Sequence, residues 1–118
     1  MEVRRREDAP RNERGGQVSS LLFQTPNLSV TWVRGEPGSQ QPVHSHADSE
    51  QIYVVVRGRG LMIVDEEERE VDAGTAILIP AGAEHAVRNV GAEPLEYLSA
   101  TTPPFPANVE GDTWQPLR

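Results

Sequence analysis

The stretch "PVHSHADSEQIYVVVRGRG", residues 42–60, places two histidines just ahead of an apolar run that is typical of a β-strand. Alternate residues of an extended chain point to the same side, with Cα atoms roughly 7 Å apart. His44 and His46 can therefore direct both imidazoles at one metal ion, with metal–nitrogen bonds of about 2.0–2.2 Å. Two imidazoles alone make a weak site, so further ligands must come from another part of the chain.

The rest of the sequence predicts an all-β domain. Short runs rich in valine, isoleucine, leucine and threonine alternate with glycine and proline, and ten prolines leave little room for a long helix. Short strands at regular spacing indicate an antiparallel sandwich or barrel. The acidic run at residues 65–68 predicts a solvated hairpin turn. The predicted strands are residues 19–24, 28–34, 50–57, 60–64, 75–79, 84–90 and 94–100.

The 118 residues are enough for one domain with one core. Residues 1–17 are charged and nearly free of large apolar side chains, which predicts a disordered or loose N-terminal arm. Residues 18–118 are then a single barrel. Its proline-broken C-terminal end predicts an extended tail.

Composition excludes several kinds of function. The net charge of -7 argues against nucleic acid as a partner, because an acidic domain repels phosphate backbones. The chain has no cysteine, which excludes disulfides, thiolate metal sites and a cysteine nucleophile. No apolar run approaches the ~20 residues that cross a bilayer, and no signal peptide is recognisable, so we expect a cytoplasmic protein without membrane contact.

A third histidine, His85, lies in "GTAILIPAGAEHAVRN" (residues 74–89), directly after a turn and at the start of a predicted strand. All three histidines of the chain therefore lie at predicted strand ends beside glycine or proline turns. Side chains from separate strands can meet at such positions, so a three-histidine metal site becomes a concrete hypothesis.

The spacings around these histidines resemble the two motifs of the cupin superfamily. Five residues separate Gly38 from His44 and one separates His44 from His46, which is similar to the opening of the first motif. Fifteen residues separate Gly58 from Gly74, similar to the short gap of small microbial cupins. The second motif is matched in full, by Gly74, Pro80, Gly82, His85 and Asn89.

The resemblance covers roughly residues 28–100 and implies an antiparallel double-stranded β-helix, or jelly-roll barrel, that is often a homodimer. It also implies that the two first-motif histidines, an acidic or amide residue and His85 hold one divalent metal inside the barrel. Three imidazoles and an oxygen suit Zn, Ni, Fe, Mn or Cu better than Ca or Mg.

The fourth ligand is either Glu50 or Gln51. The motif places a glutamate three or four residues after the second histidine, and Glu50 fits that count. It also places six residues between the ligand and a glycine, and counting back from Gly58 in this way gives Gln51. Adjacent strand residues face opposite sides, so only one of the two can point inward. We favour Gln51, because the glycine corner and the apolar alternation after it set the strand register.

Other side chains near the predicted site have weaker claims to a role. Tyr53 shares the face of Gln51, so it is either a proton donor to substrate or an aromatic that fills the barrel. Three arginines near strand ends are candidates for binding a carboxylate or phosphate at the barrel mouth, although the preferred interpretation of each is a surface charge at a strand end. They are Arg34, Arg57 and Arg59.

The function hypotheses follow from the site. The resemblance implies a metal-dependent enzyme acting on a small molecule, of the dioxygenase, isomerase or epimerase, decarboxylase or cyclase type. The alternative is a non-catalytic cupin module that binds or senses a small ligand.

Overall fold

The structure is a computed structural model and describes residues 1–105. Within them lie one turn of 3-10 helix, Arg6–Asp8, and nine strands. Residues 106–118, which make up most of the predicted C-terminal tail, lie outside the described residues. The strands are β1 (Arg11–Arg14), β2 (Gln17–Gln24), β3 (Ser29–Gly35), β4 (Glu50–Arg57), β5 (Arg59–Val64), β6 (Glu67–Asp72), β7 (Ala76–Ile79), β8 (His85–Asn89) and β9 (Leu95–Thr102).

The strands form two antiparallel sheets. The large sheet has the order β1-β2-β3-β9-β4-β7 and the small sheet the order β6-β5-β8. Their inner faces share one hydrophobic core, with Tyr53 and Tyr97 from the large sheet against Met62 and Val87 from the small one. The prediction of an all-β, antiparallel jelly-roll barrel is therefore confirmed.

The segment between β3 and β4 carries the first two histidines and runs beside β8. Isolated antiparallel bridges join Gln40 to Arg88 and His44 to His85. This segment therefore lies next to the small sheet, although it forms no continuous strand. His44 and His46 lie in this irregular segment rather than at the end of β4, where the sequence pattern had placed them.

Gly58 is the corner at which the chain passes from the large sheet to the small one. It is the single residue between β4 and β5, and its φ is 84°, in the left-handed region that favours glycine. A Cβ at this position would lie 2.5 Å from the carbonyl oxygen of Pro94. Only glycine fits this corner, and the corner fixes which residues of β4 face the core.

Two strands were missing from the sequence prediction. Strand β6, "EEREVD", is exposed except for Val71, so it lacks the apolar alternation by which the other strands were recognised. Only Asp65 and Glu66 of the acidic run form the turn, and Glu67 and Glu68 already belong to β6. The second missing strand, β1, lies within the segment predicted to be a loose arm.

Residues 1–17 are more ordered in the structure than the sequence predicted. Strand β1 pairs with β2 through four residues, and the arginines before it contact the large sheet. The guanidinium of Arg6 lies 2.7 Å from Glu96, and that of Arg4 lies over the ring of Phe23 at 5.3 Å. Composition alone missed this because charge pairing and cation–π contacts, rather than apolar burial, hold the segment.

Glu96 is a buried carboxylate on the outer face of the large sheet, with a side chain 6% exposed. It accepts hydrogen bonds from Arg6 at 2.7 Å, from Trp32 Nε1 at 2.8 Å and from Arg57 at 3.4 Å, and Arg34 lies 3.8 Å away. The carboxylate thus satisfies the indole N–H of the partly buried Trp32 and ties the N-terminal segment to three strands.

Replacing Glu96 should destabilise the fold more than replacing its neighbour Glu93. Glu96→Gln removes the carboxylate that three arginines share, and among the described residues only Arg34 and Arg57 keep a second one, from Glu36 and Glu93. We expect a loss of about 1–3 kcal/mol in the free energy of unfolding. That range is below the cost of breaking a fully buried ion pair, because the arginine side chains are 37–48% exposed and water can solvate them.

Urea denaturation followed by tryptophan fluorescence measures this difference. Glu93→Gln is the matched control, since the Glu93 side chain is 73% exposed and its carboxylate lies 3.8 Å from the guanidinium of Arg57. We expect that variant to change stability by less than about 0.5 kcal/mol. Equal losses in the two variants would contradict the role given to Glu96.

Candidate metal centre

The three histidines converge on one point. The ring centroids are 4.2 Å apart between His44 and His85, 5.0 Å between His44 and His46, and 5.6 Å between His46 and His85. One ring nitrogen from each lies within 4.8 Å of the others. Three imidazole nitrogens at this separation can bind one transition-metal ion after small side-chain adjustments. The convergence expected from the spacing of the histidines is present in the structure.

Main-chain hydrogen bonds hold the histidines together. His44 N donates to His85 O at 3.1 Å, and His85 N donates to His44 O at 2.8 Å. Gly82 N donates to His46 O at 2.8 Å, which fixes the second histidine of the pair to the turn before β8. The backbone therefore positions all three imidazoles independently of any contact between the rings.

The tautomers of two histidines follow from their hydrogen bonds. Nδ1 of His44 lies 2.8 Å from the carbonyl oxygen of Pro42, and Nδ1 of His85 lies 3.0 Å from that of Ala83. A carbonyl only accepts, so each Nδ1 carries the proton and each Nε2 presents a lone pair. Nε2 of His85 is buried and has no hydrogen-bond partner among the described residues. A buried lone pair without a donor is what a metal ligand requires.

The imidazoles of His46 and His85 are held in their neutral forms. Burial, together with repulsion from His44 and His85, lowers the pKa of His46 from 6.5 to about 4. Burial also lowers the pKa of His85, against a smaller opposing effect of its hydrogen bond to Ala83. At neutral pH both rings therefore keep the lone pairs that a metal needs, and protons compete for them weakly.

Gln51 points into the barrel and Glu50 points to solvent. Gln51 is 5% exposed, and its Nε2 donates to Ser99 Oγ at 3.3 Å and to Thr101 Oγ1 at 3.1 Å. Its Oε1 is buried and has no partner among the described residues. The two hydroxyls therefore fix the amide with its oxygen unengaged. This is the side of β4 that the glycine corner predicted to face inward.

Tyr53 lies deeper in the barrel on the same strand face. It is 3% exposed, stacks on Tyr97 with centroids 4.6 Å apart, and meets the ring of His85 edge-on at 6.1 Å. Burial raises the pKa of Tyr53 to about 12, so its hydroxyl keeps its proton at neutral pH. Tyr53 is a core residue whose protonated hydroxyl can donate a hydrogen bond, and it is unsuited to act as a base.

A cavity of about 310 Å³ opens beside this cluster. Its walls are alternate residues of the large sheet together with His44, His46 and Phe105. Phe105 stacks on His46 with ring centroids 4.0 Å apart, which covers one face of that imidazole. The volume is at the lower end of the range for ligand pockets, so the cavity fits a small molecule.

The sequence analysis did not predict that strand β1 forms part of the cavity wall, whereas its interpretation of Arg34 and Arg57 as surface charges agrees with the structure. Asn12 and Arg14 of β1 line the cavity, although this segment was predicted to be a loose arm. Arg34 and Arg57 lie near Glu96 on the outer face of the large sheet and do not line the cavity. A weak signal for β1 exists in the sequence, since Gly15 and Gly16 both have positive φ and make the turn into β2.

Comparison with known proteins identifies the family. Residues 31–101 match the Cupin_2 cupin-domain family. The chain is a cupin. The match includes all three histidines, Gln51 and most of the large sheet, whereas strands β1 and β2 of this cupin lie before it.

Three similar proteins place this cupin among its relatives. It is 43% identical over 68 residues to protein MJ1618 of Methanocaldococcus jannaschii, covering 58% of this chain and 54% of that protein. It is 31% identical over 109 residues to auxin-binding protein 1 of Arabidopsis thaliana, covering 84% and 54%. The crystal structure of TT1209 from Thermus thermophilus superposes with a TM-score of 0.77 at 32% identity, covering 87% of this chain and 98% of that one.

This cupin thus spans about half the length of the two relatives it matches by sequence. Over the described residues 1–105, no helix is long and apolar enough to cross a membrane.

The lowered pKa of His46 predicts how the stability of the metal-free cupin depends on pH. In the unfolded chain His46 titrates near 6.5, and in the folded chain near 4. Between these values the unfolded state binds a proton that the folded state refuses, so acid favours unfolding. We expect the thermal midpoint of the metal-free protein to fall as pH is lowered from about 6.5 to about 4.

Carboxylates also titrate near the lower end of this window, so the informative quantity is a difference between two proteins. His46→Gln removes the imidazole and keeps a polar side chain, and its thermal midpoint should fall less steeply over the same pH range. Parallel pH dependences, measured by differential scanning calorimetry in the presence of a chelator, would contradict the lowered pKa.

Proposed function

We propose that this cupin is a metal-dependent enzyme that acts on a small molecule, with one divalent transition-metal ion held by four side chains. The ligands are Nε2 of His44 and His85, a ring nitrogen of His46, and Oε1 of Gln51. The observation that carries the proposal is the pair of buried, unpartnered acceptor atoms, His85 Nε2 and Gln51 Oε1. Burying such atoms without a partner costs about 1–3 kcal/mol each, and a metal ion would offset that cost.

The donor set favours a transition metal. Three neutral imidazoles and one amide oxygen suit Zn, Ni, Fe, Mn or Cu, and leave the charge of a divalent ion close to +2. Such an ion, when bound, supplies Lewis acidity toward a carbonyl oxygen or a binding position for dioxygen. The compatible reactions are dioxygenation, isomerisation or epimerisation, decarboxylation and cyclisation.

The protein side chains supply orientation and a proton. Ser99 and Thr101 hold the amide of Gln51, and the carbonyls of Pro42 and Ala83 hold two imidazoles, so the donor atoms are fixed before metal arrives. Tyr53 keeps its phenolic proton at neutral pH and can donate a hydrogen bond toward the barrel interior. The cavity walls hold the substrate and limit its contact with water.

Metal analysis of purified variants tests the site. We expect about one equivalent of a transition metal in the wild-type protein, a loss of most of it in His85→Ala and in Gln51→Ala, and full retention in Glu50→Ala. Glu50→Ala is the matched control, because Glu50 is the neighbour of Gln51 on the same strand and its side chain is exposed. Inductively coupled plasma mass spectrometry gives the content, and circular dichroism shows whether each variant is folded.

Two outcomes would contradict the ligand assignment. Metal retained at full occupancy in folded His85→Ala would contradict the assignment of the metal site to the histidines. Metal lost in Glu50→Ala but kept in Gln51→Ala would reverse the assignment of the fourth ligand.

Turnover distinguishes an enzyme from a binding module. We expect the metal-loaded protein to convert at least one member of a panel of small hydroxy, oxo and enolic compounds, followed by proton NMR in D₂O and by a dioxygen electrode. Folded Gln51→Ala should lose that conversion. If compounds of the panel bind saturably but none is converted, whichever metal is loaded, the enzyme hypothesis is wrong and the binding module is favoured.

That alternative is a non-catalytic cupin that binds or senses a small ligand. The observation in its favour is the similarity to auxin-binding protein 1, whose name describes a binding protein. In this alternative the same cavity holds the ligand, and metal serves to orient it.

The homodimer and the cytoplasmic location expected from the sequence stay predictions. Ile52 and Leu78 are cross-strand neighbours on the outer face of the large sheet, 42% and 58% exposed. They are apolar side chains that such a dimer would cover, and sedimentation velocity measures whether it forms.

A further inference from the structure

Strand β1 contributes one wall of the cavity. Asn12 and Arg14 alternate along the strand and pair with Ser19 and Gln17 of β2, and all four residues line the cavity. Arg11 and Glu13, on the other face of β1, do not line it. The side-chain alternation of the strand and the composition of the cavity wall thus agree on where Arg14 lies. This wall precedes the residues that match the family.

The charge inside the cavity is opposite to that of the whole protein. The chain has 18 acidic residues and a net charge of -7. Among the described residues that line the cavity there is no aspartate or glutamate, and Arg14 is the one residue with a permanent charge. The described part of the lining therefore carries one permanent positive charge, that of the exposed Arg14, in a negative protein. Such a cavity favours an anionic ligand.

We infer that Arg14 binds the carboxylate of the small molecule that this cavity holds, while another part of that molecule lies at the histidines. The inference rests on the proposed function and names its substrate class: small hydroxy or oxo acids. A guanidinium matches the planar carboxylate with two parallel hydrogen bonds. A phosphate monoester carries a charge near -2, which one guanidinium does not neutralise, so a carboxylate is the better match.

The cavity surface between Arg14 and the histidines suits such a molecule. Strands β2, β3 and β9 separate β1 from β4, and their inward residues in the cavity include the hydroxyls of Ser19, Thr31 and Ser99. Four inter-strand spacings amount to on the order of 19 Å measured along the sheet, and less across the curved barrel. A polar acid held in this cavity finds hydroxyl partners between the two walls.

Binding of two probes that differ only in charge tests the inference. Succinate carries the carboxylates, and succinamide replaces both with neutral amides of similar size. Isothermal titration calorimetry on the metal-free protein should give a succinate affinity that falls about ten-fold or more in Arg14→Gln. Succinamide should bind wild type and Arg14→Gln equally. The succinate affinity of Arg14→Lys should lie between those of the two proteins, because lysine keeps the charge but lacks the two parallel N–H donors of the guanidinium.

The matched control is Arg11→Gln, which removes the same charge from the other face of the same strand and should leave succinate binding unchanged. The inference is overturned if wild-type protein binds no succinate, if Arg14→Gln binds it as tightly as wild type, or if Arg11→Gln weakens it equally. It is also overturned if glycerol 3-phosphate, and not succinate, depends on Arg14. Because these titrations use metal-free protein, their result stands apart from metal content and turnover, which test the proposed function.

Discussion

The arrangement of the site depends on the main-chain pairing of His44 with His85. Two reciprocal hydrogen bonds, at 3.1 and 2.8 Å, attach the irregular segment before β4 to the first residue of β8. Together with the bond from Gly82 N to His46 O, they hold the first two histidines beside the third at the edge of the small sheet. Because the attachment is made by backbone groups, the imidazoles remain available for other partners. Burial, together with the neighbouring imidazoles, then disfavours the charged forms of His46 and His85.

Much of the fold and of the cluster was predictable because local rules applied there. The predicted strands contain the β-branched and apolar runs that pack against a core, and seven of the nine strands of the described residues were found in this way. Gly58 fixed the register of β4, because a corner that excludes a Cβ leaves only one face of the strand that ends there for the interior. Gln51, Tyr53 and Val55 alternate along the inner face of β4, so burial separates Gln51 from Glu50. A register shift between Val55 and Arg57 interrupts this alternation next to the corner.

The remainder was not predictable because it depends on partners distant in sequence. Strand β6 is charged on nearly every residue and gains its order from pairing with β5. Strand β1 is held by an arginine whose carboxylate partner, Glu96, is 90 residues away along the chain. Arg14 could not be placed in the cavity while its segment was read as a loose arm. Such contacts leave no periodic signal in a single sequence.

Strand β1 lies apart from the hydrophobic core and from the histidine cluster, so its sequence can change without disturbing either. As the edge strand of the large sheet it pairs on one side only, and most of its side chains are exposed. Substitutions there cost little stability, unlike changes in the histidine turn or at the glycine corner. Ligand preference can therefore diverge by mutation of a four-residue strand, while the core and the histidine cluster stay as they are.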